Sequence, residues 1–210
     1  FPHNKNFMNN QETHILKEGF EEIADIGVRS FTIDSFSKRI KMSKKTIYKF
    51  FPTKENLISA IMHFIFNRIN SSFKEVMHGE PNPAVQFIKI METIAKFAGR
   101  TPVNKVSELK SLYPEIWKEI ESFRLSHQDD FYTILRNAQK QRLARDDINM
   151  RSVAIVYINT INSTFQPEFF LKNDLPIGET IRGFVQVVAR GIFTPEGLEA
   201  IKKYHEQNKI

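Results

Sequence analysis

Eight basic side chains crowd residues 29–54: Arg29, Lys38, Arg39, Lys41, Lys44, Lys45, Lys49 and Lys54, against one acid, Asp34. The segment is therefore more positive than the whole 210-residue chain, whose net charge is +6. Elsewhere 22 of the 30 Lys and Arg face 23 of the 24 Asp and Glu, which is close to neutral. A solvated helix face mixes signs; a one-sign cluster this dense suits a polyanion, whose phosphates it neutralises with release of counter-ions. Enzyme chemistry finds no comparable support. The six His are scattered, with no HExxH pair and no His/carboxylate metal spacing. No GxSxG elbow, glycine-rich phosphate loop or dinucleotide fingerprint occurs. Asp129-Asp130 and Asp146-Asp147 are carboxylate pairs, but neighbours on a helix point apart, and Asp146-Asp147 reads as a cap. Cys is absent, which removes a thiol nucleophile, disulfides and Cys-based zinc, and suits a reducing compartment. We expect no catalytic residue, no metal and no cofactor.

The elements that must position the cluster are helical. Apolar residues recur at three and four, and no sustained period-2 alternation is bounded by turns. The most strand-like run, Val153-Ala154-Ile155-Val156, lies inside a helical pattern. Pro and Gly divide the chain into about ten helices. The first is expected over 10–26, ended by Gly27. Two short ones follow, capped by Thr32 and Ser43. A long fourth, capped by Thr53, runs over 54–77. Others are expected over 83–98, 103–112, 114–143, about 147–172 and 178–193, with a terminal one from Pro195. No apolar run reaches 18 residues, so no membrane span is expected. The first ten residues have no apolar signal core, and residues 1–7 read as a loose tail or remnant ahead of Met8.

Residues 32–51, TIDSFSKRIKMSKKTIYKFF, have helix-turn-helix spacing. At about 100° per residue, Ile47 and Phe51 of the third helix fall together, while Lys45 and Lys49 fall opposite, flanked by Tyr48 and Lys44. Such a helix packs by its apolar side and presents three lysines and a tyrosine outward, as a recognition helix does in a major groove. No Arg, Asn or Gln stands on that face, so base discrimination by it is expected to be modest.

Gly27 to Leu57 resembles the N-terminal domain of TetR/AcrR-type transcriptional regulators. Gly27 follows the first helix, Thr32-Ile33 open the second, and Met42-Ser43 lie in the turn. The most specific stretch is Thr46-Ile47-Tyr48-x-x-Phe51-x-x-Lys54-Glu55-x-Leu57. Three departures stand out: Ser37 for a usual Ala, Ile40-Lys41 for Ala-Gly, and Lys45 for a frequent Gly. A left-handed Lys41 would cost about 1–2 kcal/mol relative to Gly. The resemblance implies phosphate contacts by Thr32, Thr46, Tyr48 and Lys54, with Lys44, Lys45 and Lys49 in or beside the groove. It implies an all-α architecture: a three-helix DNA-binding domain over 8–54, joined by the long fourth helix to a ligand-binding and dimerisation domain over 55–210.

In that second half, 12 of the 19 Phe fall after residue 60, and Ile116, Ile120, Phe123, His127, Phe131 and Ile134 keep helical spacing. Phe66, Phe97, Trp117, His127 and Phe131 are the candidate effector contacts, although core packing explains many aromatics. Ile155, Ile158, Phe184 and Val188 are the candidate dimer contacts. The reading is a cytoplasmic homodimeric repressor on a near-palindromic double-stranded operator, released by a small apolar or aromatic ligand. The rivals are a DNA-binding dimer controlled by a protein partner or acting architecturally, and an enzyme that kept a basic helix-turn-helix.

Overall fold

A computed structural model describes residues 10–208; residues 1–9 and 209–210, and with them the expectation for the tail and Met8, lie outside the described residues. Twelve helices run through the described residues: α1 (Asn10–Ser30), α2 (Ile33–Arg39), α3 (Lys44–Phe50), α4 (Lys54–Gly79), α5 (Pro83–Gly99), α6 (Val103–Leu112), α7 (Pro114–Ser126), α8 (Gln128–Lys140), α9 (Met150–Thr164), α10 (Pro167–Asn173), α11 (Ile177–Ile192) and α12 (Pro195–Asn208). They contain no strand; one isolated antiparallel bridge joins Ala144 to Phe193.

Two more helices occur than the sequence spacing predicts. The helix expected over 114–143 breaks at His127, which leaves helical geometry at φ −88° and ψ 6° and joins α7 to α8. The helix expected to reach residue 172 breaks at Phe165 and Gln166, and Pro167 starts α10, where its missing N–H costs nothing. Asp146-Asp147 do not cap: Asp147 pairs with Arg145 at 2.7 Å, while Asn149 caps α9 by accepting from Ser152 N at 3.0 Å.

The local signals at the N-terminal end set its geometry. Thr32, Ser43 and Thr53 each accept a backbone N–H three residues on, from Ser35, Thr46 and Asn56 at 3.0–3.1 Å. Each satisfies a donor that a helix start otherwise leaves bare. Lys41 takes the left-handed conformation at φ 53°. Met42 N then reaches Ser37 O at 2.9 Å and Lys41 N reaches Lys38 O at 3.2 Å, the paired bonds of a Schellman ending. Gly27 does not end α1 outright. It kinks it, at φ 80° and ψ 161°, a region only glycine holds without strain, and a further turn follows.

Three apolar cores result. Ile15, Leu16, Phe31, Phe36, Ile47, Leu57 and Ile61 close the first three helices onto the start of α4. Phe87, Ile90, Ile134, Leu135, Tyr157 and Val185 belong to the core of the large bundle, built from α4, α5, α8, α9, α11 and α12. Between them, Val28, Ile58, Phe66, Leu109, Ile116, Trp117 and Ile120 knit the end of α1 to α4, α6 and α7. That junction connects the first three helices to the large bundle.

Candidate nucleic-acid interface and effector cavity

Helix α3 is held by Ile47, which is fully buried, and by Phe51 just beyond it. Burying these leaves Lys44, Lys45, Tyr48 and Lys49 exposed on the other side. Tyr48 keeps 45% of its surface in solvent, unusual for a large aromatic and suited to a partner. Lys45 and Lys49 make no ion pair among the described residues. Lys44 does: its Nζ lies 3.0 Å from Asp34 on α2, an exposed pair of little energetic worth that a phosphate readily displaces. Thr32 is exposed, but its hydroxyl already bonds Ser35, and the Thr46 hydroxyl lies 2.8 Å from that of Ser43. Both threonines shape the helix starts, Thr32 exposed and Thr46 half-buried.

Lys54 departs from expectation. Its ammonium does not face the groove: it donates to Val28 O at 2.7 Å and sits 5.8 Å from the Phe31 ring centre. Burial lowers its pKa below the usual lysine range. Lys54 acts here as a strut between α1 and α4, a role that only the tertiary structure reveals.

The five aromatic and histidine candidates of the second half come together. Phe66, Phe97, Trp117, His127 and Phe131 all line one apolar cavity of about 270 Å³. Small-molecule sites usually fall near roughly 300–1,000 Å³, so this one suits a small occupant. Its wall includes Phe20, Ile23 and Ala24 of α1, Ile58, Ile61 and Ile65 of α4, and Val106 and Leu109 of α6. The cavity thus borders the elements that carry the reading head.

Arg124 and His127 are among the polar groups of this wall, with Thr101, Lys105 and Tyr157. His127 Nδ1 is 3.0 Å from Asp130 Oδ2, and its ring packs against Phe73 and Phe123. Its Nε2 is buried without a hydrogen-bond partner, as is Nη1 of Arg124. Burial holds the Arg124 guanidinium below its usual range, while nearby Glu121 acts in the opposite direction. Helical spacing alone puts His127 on the apolar face; it does not single out Arg124, although that residue lies four beyond Ile120 on the same side.

The dimer candidates divide. Ile155 is 39% exposed and Val188 half-buried. Ile158 is buried in the bundle core, and Phe184 stacks on Tyr157 at 5.4 Å and meets Phe165 edge-on. Ile158 thus serves the chain's own packing, a correction to its candidacy as a dimer contact, while Phe184 is half-buried against the same core. The apolar residues that do point outward are Val156 on α9, 63% exposed, and Val187 on α11, 70% exposed. Gly183 and Gly191, one helical turn to either side of Val187, have open space where a Cβ would lie.

Residues 15–61 match the model of the family described as bacterial regulatory proteins, tetR family. Over 191 residues the chain is 25% identical to the uncharacterized HTH-type transcriptional regulator YvaF of Bacillus subtilis, covering 90% of this chain and 99% of that protein. Its fold is similar to that of a transcriptional regulator from Cytophaga hutchinsonii, with TM-score 0.68 and 14% identity, and to that of a TetR transcription regulator from Haloarcula marismortui, with TM-score 0.68 and 13% identity. Each of these alignments covers 89% of this chain and 100% of the other.

Proposed function

We infer, from the premise that this chain is a TetR-family DNA-binding transcriptional regulator, that it works as a homodimeric repressor whose operator grip is released by a small apolar ligand. Lys45, Lys49 and Tyr48 meet the DNA, with Lys44 joining once it leaves Asp34, and Thr32 and Thr46 hold the backbone of each helix start against phosphate. The outward faces of α9 and α11, with Ile155, Val156, Val187 and Val188, join two copies about a two-fold axis. Their recognition helices then address successive major grooves, about 34–36 Å apart, on a near-palindromic site. The protein works in the cytoplasm, beside its DNA.

One observation carries the ligand-controlled reading: a single cavity is walled by α1, α4 and α6 at once. α4 runs from Lys54, at the reading head, to Gly79 in the bundle. α6 touches α1 at its kink, where Arg29 N donates to Glu108 Oε2 at 3.4 Å. A ligand that binds one arrangement of these helices better than the other shifts the population; equal affinity shifts nothing. About 1–3 kcal/mol of coupling yields a 5–150-fold loss of DNA affinity.

The test uses operator DNA selected in vitro from random sequence. Ala98 lines the cavity. Filling the space by Ala98→Phe should change operator affinity with no ligand present. Unchanged affinity in a folded, dimeric Ala98→Phe protein, together with no small molecule that releases DNA, would leave control by a protein partner in its place.

A further inference from the structure

We propose that the cavity takes an apolar molecule bearing one carboxyl group, held at its head by Arg124 and His127. The proposal deepens the ligand-controlled reading above and rests on it for the ligand's regulatory role, but not for the binding chemistry.

Both side chains line the same cavity, three residues apart across the α7–α8 break. Each brings a buried nitrogen without a partner: Nη1 of Arg124 and Nε2 of His127. Most of the wall around them is Ile, Phe, Met and Ala. Arg124 Nη1 is a buried donor left unused, which is costly to maintain, and the nearby Glu121 acts on the guanidinium without a hydrogen bond to that nitrogen. Its neighbours are already engaged. Arg124 stacks over Trp117, with Cζ 5.4 Å from the ring centre. Trp117 Nε1 donates to Glu121 Oε1 at 2.9 Å and to Gln166 Oε1 at 3.1 Å. Gln166 Nε2 donates to the same Glu121 oxygen at 3.0 Å.

The head group follows from these donors. An ionised Asp130 can only accept, so His127 Nδ1 donates to it and the unpartnered Nε2 is the ring atom left for an occupant. A carboxylic acid donates to a neutral Nε2, and a carboxylate accepts from a protonated one. The planar guanidinium fork matches a carboxylate's two oxygens. The wall's other cation, Lys105, is paired with Glu108 at 3.2 Å, which leaves Arg124 as the guanidinium free to meet a single negative charge. An alcohol or ester satisfies the hydrogen bonds but adds no charge to what nearby Glu121 already supplies.

The experiment titrates the full chain with decanoate, 4-phenylbutyrate and 1-decanol by calorimetry, with operator affinity measured in parallel. At least one acid should bind the wild type tenfold or more tighter than the alcohol. Arg124→Met should remove that preference while keeping the alcohol's affinity within about twofold. Arg124→Lys, which keeps the charge and loses the fork, should retain part of it and shows that the site still folds. Failure of both acids to bind, or an Arg124→Met protein that keeps the preference, overturns the proposal. If the acid binds through Arg124 and operator affinity stays the same, the head-group assignment stands and the effector reading falls. If the alcohol binds as tightly as the acids and releases DNA, the effector reading stands and this assignment falls.

Discussion

The ammonium of Lys54, the first residue of α4, donates to the carbonyl oxygen of Val28, in the last turn of α1, at 2.7 Å. The bond joins the turn beyond the Gly27 kink to the start of the long helix. Replacing Lys54 by Met keeps most of the stem and removes the donor. The expected loss is about 1 kcal/mol, less than for a fully buried charged bond because the site is only half-buried. Urea unfolding measures it. The slope of log DNA affinity against log salt should stay as in the wild type. A slope flattened as much as by losing Lys45 would show that this ammonium reaches a phosphate after all.

The paired replacement Lys45→Ala, Lys49→Ala should act in the opposite way. Both side chains are exposed and lie away from the buried Ile47, so stability should change by no more than about 0.5 kcal/mol. Operator affinity should drop, and the salt slope should flatten by about 0.9 for each phosphate that is no longer neutralised. Fluorescence anisotropy at several salt concentrations checks both numbers. Wild-type binding at every salt would put the recognition surface elsewhere.

Val187→Glu places a charge at the most exposed large apolar side chain of α11. Sedimentation at micromolar concentration should show monomers, with operator affinity reduced far more than the tertiary fold is disturbed. Ile158→Glu should instead unfold the protein, because that side chain is 8% exposed within the bundle core. A dimeric Val187→Glu protein with normal DNA binding would move the interface to another face.

Glu22 gives a pH-dependent expectation. It is 5% exposed on α1, with Arg39 Nε 3.2 Å from its Oε2 in an alignment too poor for a hydrogen bond. Burial raises its pKa above the usual 4.5; Arg39 pulls it down and Asp25 pushes it up. A carboxyl whose folded pKa is raised holds its proton more tightly in the folded state. Its contribution to stability is therefore present below about 4.5 and is lost as pH rises through the folded value. Glu22→Gln removes that decline, so the stability of the variant relative to the wild type should increase across this window. Parallel denaturation profiles for the two proteins would contradict it.

Hydrogen bonds made within three or four residues were legible in the sequence. Thr32, Ser43 and Thr53 announce their helix starts through hydroxyls that reach the next turn. The left-handed Lys41 follows from the need to turn before Ser43. Packing between distant parts of the chain was not legible. The apolar spacing runs through His127 without Pro or Gly, so nothing local marks the break there. Ile158 and Phe184 sit on faces that periodicity cannot separate from Ile155 and Val187, because all four are apolar and only the neighbouring helices decide which are covered. Arg124 reads as an ordinary charge on α7 until Trp117 and the cavity enclose it.

The 26 residues of α4 make a rod about 39 Å long, at roughly 1.5 Å per residue. Pivoted near its bundle end, a rotation of about 5° carries the Lys54 end through about 3.4 Å, using that same rise per residue. Two such rods in a symmetric pair double the displacement to about 7 Å, against a groove repeat of about 34–36 Å. Under the proposed release by a ligand, gearing of this kind would amplify a side-chain-sized wedge into a mismatch of about a fifth of a helical turn, and a releasing occupant would need bulk at one point more than extent.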